Sequence, residues 1–208
     1  EWGRIIKLHN SAQQGLMIAA LAISLFLIHV FNTTYDRFNE DVVLTLVAAS
    51  AFVWLLLVPF LLTTQSQITQ NKPLMIVLGF TLLSSTLISF LGLHRISPWL
   101  LLGVIATVSI ADSAAYFAGK NFGKHKLAPS ISPGKTWEGV IGALIAVTLF
   151  GLLLHHFLHY SAWLLVGLWF ITIMSIMGDL FESKLKRQAN LKDSGQILPG
   201  HGGVLDRI

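Results

Sequence analysis

Residues 139–178 read GVIGALIAVTLFGLLLHHFLHYSAWLLVGLWFITIMSIMG, and this run contains no Asp, Glu, Lys or Arg. A helix needs about 20 apolar residues to cross roughly 30 Å of hydrocarbon. The forty residues of the run are therefore enough for two crossings, with a turn near residues 155–161. The run lacks the period-2 alternation of a membrane β-strand, and helices satisfy their own backbone polar groups in lipid. We expect two consecutive transmembrane helices here.

The same pattern extends toward the amino terminus, where further long runs are uncharged. Of the 208 residues, 54% are hydrophobic and only 12% are charged, whereas a soluble domain carries roughly a quarter charged residues. This composition excludes an ordinary soluble enzyme, a disordered tail and a protein that only binds nucleic acid. The sequence predicts an all-α, polytopic integral membrane protein with about six transmembrane helices, near residues 12–31, 42–64, 73–93, 98–118, 137–157 and 162–182.

The distribution of Lys and Arg predicts the orientation of these spans. If the chain crosses at each span, one side of the membrane receives only Arg37 and Arg95. The other side receives the remaining twelve: Arg4, Lys7, Lys72, Lys120, Lys124, Lys126, Lys135, Lys184, Lys186, Arg187, Lys192 and Arg207. The positive-inside rule places the larger set in the cytoplasm. Two cytoplasmic segments, residues 119–136 and 183–208, are longer than a turn, and we expect them to be the two functional loops.

Two acidic residues lie within predicted spans. An ionised Asp at mid-bilayer costs about 2.5–3.5 kcal/mol, so Asp112 and Asp179 need an explanation. They could be interfacial carboxylates that reach water or pair with Lys120 and Lys186. Alternatively, the polar helix faces that carry them could meet and hold a cation. Carboxylate oxygens, in a chain with no cysteine, suit Mg²⁺, Mn²⁺ or Ca²⁺ rather than zinc or copper.

The segment 183–208 combines cations, carboxylates and glycines. Basic groups neutralise phosphate oxygens, and glycines let backbone N–H groups approach an anion. Carboxylates among those cations make sense if a divalent ion bridges them to the phosphate. The alternative is an ordinary positive-inside loop. The residues concerned are Lys184, Lys186, Arg187, Lys192, Arg207, Asp193, Asp206, Gly195, Gly200, Gly202 and Gly203.

The segment 119–138 repeats this theme with several lysines around one predicted helix start. Pro133 and Gly134 predict a turn, and Thr136 is suited to cap the following helix. Glu138 suits the first helical turn. Lys135 would then lie just outside a helix N-terminus, which is itself a favourable place for an anion.

The tail from Ser183 to Ile208 resembles the signature of the phosphatidate cytidylyltransferase (CDP-diacylglycerol synthase) family. The positions in register are Ser183, Lys186, Arg187, Lys192, Asp193, Gly195, Leu198, Pro199, His201, Gly202, Gly203, Asp206 and Arg207. Residues 112–116 (DSAAY) and 132–139 (SPGKTWEG) resemble the upstream motifs of that family. The family pattern continues with another Asp directly after Ile208, and we expect both natural ends to lie outside this sequence.

The resemblance implies that CTP and phosphatidic acid give CDP-diacylglycerol and pyrophosphate. It implies that Asp179 and Asp206 hold Mg²⁺, with Asp112 and Asp193 as further ligands, and it leaves room for a second, monovalent cation. Asp179 and Asp206 would be catalytic, together with the cations next to the reacting phosphates: Lys186, Arg187, Lys192 and Arg207. The residues expected to bind substrate are Tyr116, Lys124, Ser132, Lys135, His201, Gly202 and Gly203. The predicted organisation is a single membrane-embedded domain, 1–208, with generic spans in 1–100 and the catalytic half in 101–208.

Two other functions fit parts of the pattern. A CTP-dependent lipid kinase would use similar basic loops, and an ion-coupled transporter would use intramembrane acids. The expected partners are CTP, phosphatidic acid and the lipid bilayer, without nucleic acid, and a homodimer is compatible with the resemblance. Small residues at 139, 142 and 143 could pack against a partner or a neighbouring span. A bacterial inner membrane, with the active site on the cytoplasmic side, is the expected location.

Overall fold

A computed structural model describes residues 1–33, 38–64, 66–191, 193–195 and 203. The order of elements is α1 (Trp2–Ile5), α2 (Asn10–Thr33), α3 (Phe38–Phe52), a π-helical turn (Val53–Leu57), α4 (Val58–Thr63), a 3₁₀ turn (Ile68–Gln70), α5 (Lys72–Ile96), α6 (Pro98–Phe122), β1 (Lys126–Ala128), β2 (Ser132–Thr136), α7 (Trp137–Leu158) and α8 (Leu164–Ala189).

Six helical stretches in the described part of the chain are long and apolar enough to cross a membrane. They are Asn10–Asn32, Leu44–Thr63, Lys72–Ile96, Pro98–Phe122, Trp137–Leu158 and Leu164–Ala189. Large apolar side chains on these helices are exposed, and Trp99 and Phe157 are 76% and 69% exposed. Such an exterior is expected of a protein whose helices are solvated by lipid. The predicted all-α, polytopic membrane fold is confirmed.

The chain divides into two compact units, residues 1–92 with 184–208 and residues 93–183. In the first unit, α1 is fixed to α5 because the Trp2 indole donates a hydrogen bond of 2.8 Å to the carbonyl of Met75. Gly79 leaves the space that this indole fills, since a Cβ there would overlap the ring. Ile5 and Met75 are fully buried, so the short helix α1 belongs to the core of this unit.

The last turns of α8 hold the connection between α4 and α5. Lys184 is buried, and its ammonium donates to the carbonyl of Leu61 at 2.5 Å and to that of Thr64. These carbonyls end α4, where a cation is favourable. Gln188 accepts from the amide of Ile68 at 3.0 Å and donates to the carbonyl of Ser66 at 2.7 Å.

In the second unit, α7 packs between α6 and α8 through small residues spaced four apart. The buried positions of α7 are Gly139, Ala143, Val147 and Gly151. A Cβ at Gly139 would lie 2.9 Å from the carbonyl oxygen of Ala115 on α6. Small residues allow helix backbones to approach closely in a membrane. Gly139, Gly142 and Ala143 therefore pack against a neighbouring span, one of the two alternatives above.

A two-stranded antiparallel hairpin joins α6 to α7. Lys126 pairs with Thr136 and Ala128 with Ser132. The predicted turn at Pro133–Gly134 is wrong, because both residues lie within β2. The chain turns at residues 129–131 instead, where the amide of Ile131 donates to the carbonyl of Ala128 at 3.1 Å. Pro129 favours a turn as Pro133 does, so composition alone did not distinguish the two places.

Replacing Gly142 by alanine tests the close approach of α6 and α7. The new methyl group would overlap the Cβ of Ala118, and overpacking of this kind costs about 1–3 kcal/mol. We expect Gly142→Ala to lower the free energy of unfolding by that amount, measured by denaturation in detergent micelles.

Gly103→Ala is the matched control, because no atom of a neighbour lies within 4 Å of a Cβ at that position of α6. It should leave stability unchanged or slightly raised, since alanine favours helix more than glycine does. Equal effects of the two substitutions would contradict the packing.

Candidate active site

Thr136 fixes the point where the hairpin ends and α7 begins. Its hydroxyl accepts a hydrogen bond of 3.1 Å from the amide of Gly139, so the predicted N-cap is confirmed. A Cβ at Gly119 would lie 2.9 Å from the Thr136 hydroxyl, and one at Gly123 would lie 2.8 Å from its methyl group. Thr136 is thus enclosed by the last turn of α6, and the residue before it, Lys135, has a defined position.

Lys135 forms an ion pair with Asp179 of α8. The Lys135 side chain is 24% exposed and the Asp179 side chain 53% exposed. Asp112 of α6 interacts electrostatically with both, unfavourably with Asp179 and favourably with Lys135. The structure therefore brings together two carboxylates from separate helices and one ammonium from the hairpin, at what we name the Asp112–Asp179–Lys135 cluster.

The cluster bears on how Asp112 and Asp179 are accommodated within predicted membrane spans. Asp179 pairs with a lysine, as the first alternative expects, but that lysine is Lys135 of the hairpin. The second alternative, that the polar faces of α6 and α8 hold a metal cation, stays a prediction. The cation on Asp179 comes from Lys135, not from the helices that carry the acids. Lys120 lies over the ring of Tyr116, 5.8 Å from its centroid, a distance at which cation–π attraction acts.

The donor atoms of the cluster are suited to a hard divalent cation. Asp112 and Asp179 contribute only carboxylate oxygens, the ligands preferred by Mg²⁺, which is commonly held by one or two carboxylates and substrate phosphates. Both residues are exposed at the protein surface. Within the described residues, no group of three or more His, Asp or Glu side chains could hold a metal by itself. A metal at this cluster would therefore need further ligands, such as substrate phosphates.

The base of the hairpin is held by an exposed pair. The ring of His125 and a carboxylate oxygen of Glu138 are 2.7 Å apart, and the amide of His125 donates to the same carboxylate at 3.2 Å. Glu138 lies in the first turn of α7, as predicted. Lys124 is exposed beside this pair, and Ser132 is partly buried at the start of β2. Both remain predicted to bind substrate.

The other predicted residues belong to the first unit or lie outside the described residues. Lys186 and Arg187 form the basic last turn of α8, Asp193 is exposed and Gly203 is buried. The predictions for Lys192, His201, Gly202, Asp206 and Arg207 fall outside the described part of the chain. Their roles in metal and substrate binding stay predictions.

Glu1 is a residue that sequence reasoning missed. Its carboxylate accepts a hydrogen bond of 3.4 Å from the Ser194 hydroxyl, across 193 positions of sequence. A Cβ at Gly195 or at Gly203 would lie 2.6 Å and 2.7 Å, respectively, from a carboxylate oxygen of Glu1. No local pattern marks this acid, because its partners lie at the opposite end of the chain.

A double-mutant cycle tests the pairing of Lys135 with Asp179. Lys135→Met and Asp179→Asn each remove one charge at similar volume. The interaction energy of the pair is the difference between the effect of the double variant on the free energy of unfolding and the sum of the two single effects. Because the carboxylate is about half-exposed, we expect a coupling of about 0.2–1 kcal/mol in the free energy of unfolding in detergent micelles.

The same cycle with Lys126→Met, in the same hairpin, serves as the control and should be additive. A coupling that is absent for Lys135, or equal for Lys126, would mean that the pair does not form.

Comparison with known proteins supplies the context for this cluster. Residues 1–208 match the cytidylyltransferase family. Proteins named phosphatidate cytidylyltransferase are 51% identical over 120 residues in Haemophilus influenzae (53% of this chain, 41% of the relative) and 44% identical over 126 residues in Pseudomonas aeruginosa (56% and 46%). One from Bacillus subtilis is 52% identical over 101 residues (47% and 37%). The matched region spans less than half the length of each relative. Because the family match covers residues 1–208, this chain belongs to the cytidylyltransferase family.

Proposed function

We propose that the protein transfers the cytidylyl group of CTP to phosphatidic acid, giving CDP-diacylglycerol and pyrophosphate for phospholipid synthesis. The observation that carries the proposal is the Asp112–Asp179–Lys135 cluster. Its three members come from the two upstream motifs and from α8, next to the signature tail. The names of the bacterial relatives support the same reaction, since each is a phosphatidate cytidylyltransferase.

The reaction requires a phosphate oxygen of phosphatidic acid to attack the α-phosphorus of CTP. The new bond joins the two phosphates, and the bond from the α-phosphorus to the bridging oxygen breaks as pyrophosphate leaves. The attacking oxygen is already anionic near neutral pH, so the protein need not abstract a proton. Its tasks are to bring two anions together and to neutralise charge, which is how phosphoryl transfer is generally catalysed.

Asp112 and Asp179 would hold Mg²⁺, which when bound neutralises phosphate charge and orients the triphosphate. Asp206 and Asp193 are proposed as further ligands, and the possibility of a monovalent cation stays open. Lys135 pairs with Asp179; if Mg²⁺ took its place on that carboxylate, the ammonium would be released to bind a phosphate oxygen. Lys186, Arg187, Lys192 and Arg207 are proposed to neutralise the remaining phosphate charge. His201 and Gly202, with Gly203, would line the nucleotide pocket.

The Tyr116–Lys120 pair offers a place for the lipid. Tyr116 is 61% exposed, and Lys120 lies at the cytoplasmic end predicted for α6. An aromatic ring beside an ammonium suits the membrane interface, where a headgroup phosphate meets the acyl boundary. Lys124 and Ser132 would extend this surface along the hairpin. A lipid substrate and a soluble nucleotide could then both reach the cluster.

The proposed location follows from the charges and the relatives. The excess of Lys and Arg on one side predicts a cytoplasmic active site, and the relatives above are bacterial. We therefore propose the bacterial inner membrane, with the bilayer and its phosphatidic acid as partners. A homodimer remains a proposal from the resemblance alone.

Labelled CTP tests the reaction with the intact protein in vesicles containing phosphatidic acid. Label at the α-phosphorus should enter the lipid in a Mg²⁺-dependent manner, and label at the γ-phosphorus should appear in pyrophosphate. Only γ-label in the lipid would indicate a kinase, and no label in the lipid would overturn the proposal.

Asp179→Asn tests the cluster within that assay. Removing one charged group that stabilises a transition state commonly costs about 100-fold or more in rate, and we expect a loss of that size. Asp41→Asn, near the start of α3, is the matched control and should retain activity. Near-normal synthesis by Asp179→Asn in folded protein would remove this residue from the site.

A further inference from the structure

Glu1 is held in a fixed position by the fold of the first unit. Its backbone carbonyl accepts hydrogen bonds from the amides of Arg4 and Ile5, at 2.9 Å and 3.2 Å, so it begins α1. That helix is fixed in turn by the bond from Trp2 to Met75 and by the complete burial of Ile5. The side chain of Glu1 therefore extends from a helix that is anchored in the core of the first unit.

The tail approaches this side chain at two places eight residues apart. Ser194 is fully buried and donates to the carboxylate, and the neighbouring Gly195 has no room for a methyl group beside it. Gly203 is equally constrained, since a Cβ there would meet the Glu1 carboxyl carbon at 2.7 Å and would overlap the Ser194 hydroxyl. The carboxylate thus lies between two stretches of the signature tail.

These contacts give the two glycines a structural reason to lack side chains. Both belong to the positions that resemble the family signature, where sequence reasoning assigned glycines to the approach of phosphate. In the structure, each leaves space that the Glu1 side chain occupies. A carboxylate accepts several hydrogen bonds at once, so one acid can hold two segments of chain.

We propose that Glu1 is a positioning residue that holds residues 193–195 and 203 of the tail against the start of α1. Asp193 and Gly203, which the proposed function assigns to metal and nucleotide, are thereby set at fixed places. Glu1 acts through the tail and not on the reacting atoms. The substrate part of this inference depends on the proposed function, whereas the contact itself does not.

Hydrogen exchange of the tail, measured on the intact protein in detergent or nanodiscs, tests the contact directly. Glu1→Gln removes the charge at nearly constant size, and loss of a hydrogen bond to a charged group should speed exchange at residues 193–195 about tenfold. Glu1→Asp keeps the charge on a shorter arm and should restore part of the protection. Arg4→Gln, in the same helix, is the charge-changing control and should match the wild type.

Gly195→Ala provides an independent variant. Its methyl group would displace the carboxylate, which is the far end of a flexible side chain, so the backbone need not move. Because both substitutions break one contact, the double variant Glu1→Gln with Gly195→Ala should exchange no faster than the single variants. Additive increases in the exchange rate, or unchanged exchange in Glu1→Gln, would overturn the proposal. If Glu1→Gln does not fold, the exchange rates of Gly195→Ala and Glu1→Asp decide it.

Kinetics separate positioning from direct catalysis. If Glu1 orders the tail that receives CTP, Glu1→Gln should raise KM for CTP about tenfold with a smaller change in kcat, and Glu1→Asp should recover part of it. An unchanged KM with a large loss in kcat would contradict the positioning role. If the wild type forms no CDP-diacylglycerol, the proposed function fails, while the exchange experiment still decides the role of Glu1.

Discussion

The candidate site in the second unit depends on the balance of charge among Asp112, Asp179 and Lys135. Two carboxylates on apolar helices repel one another, and intramembrane acids are costly unless a cation or water compensates them. The ammonium of Lys135 supplies that compensation from outside the helices. We propose that this site attracts a divalent ion and a phosphate together, because it contains charges of both signs within a small space.

The position of Lys135 depends on packing that has no charge at all. Gly139 and Gly142 let α7 approach α6, and the glycines at the end of α6 enclose Thr136. Thr136 caps α7 through the amide of Gly139, so the helix start and the preceding lysine are set together. Small residues, which contribute little burial themselves, thus determine where the cation of the cluster lies.

Much of this architecture could be predicted from the sequence because hydrocarbon imposes a simple rule on length and charge. The uncharged runs predicted six spans near their observed positions, and Thr136 was predicted as a cap from its type and context. The hairpin turn was misplaced because Pro129 and Pro133 carry the same local preference.

Contacts between distant segments had no local pattern from which to be inferred. Lys135 and Asp179 are 44 positions apart, and Glu1 and Ser194 are 193 positions apart. Periodicity places a side chain on a helix face but does not name its partner on another element. Motif resemblance correctly identified the family. Its assignment of Lys135 to substrate stays a prediction, and it left Glu1 without a role.

We propose that Asp112 and Asp179 bind one divalent ion at the site of cytidylyl transfer. Anomalous scattering from Mn²⁺ in crystals grown with CTP measures this directly. We expect one peak with a carboxylate oxygen of each residue at about 2.1 Å, close to the Mg²⁺ distance. A Mn²⁺ ion bound elsewhere, with Asp112 and Asp179 both outside its coordination shell, would contradict this proposal.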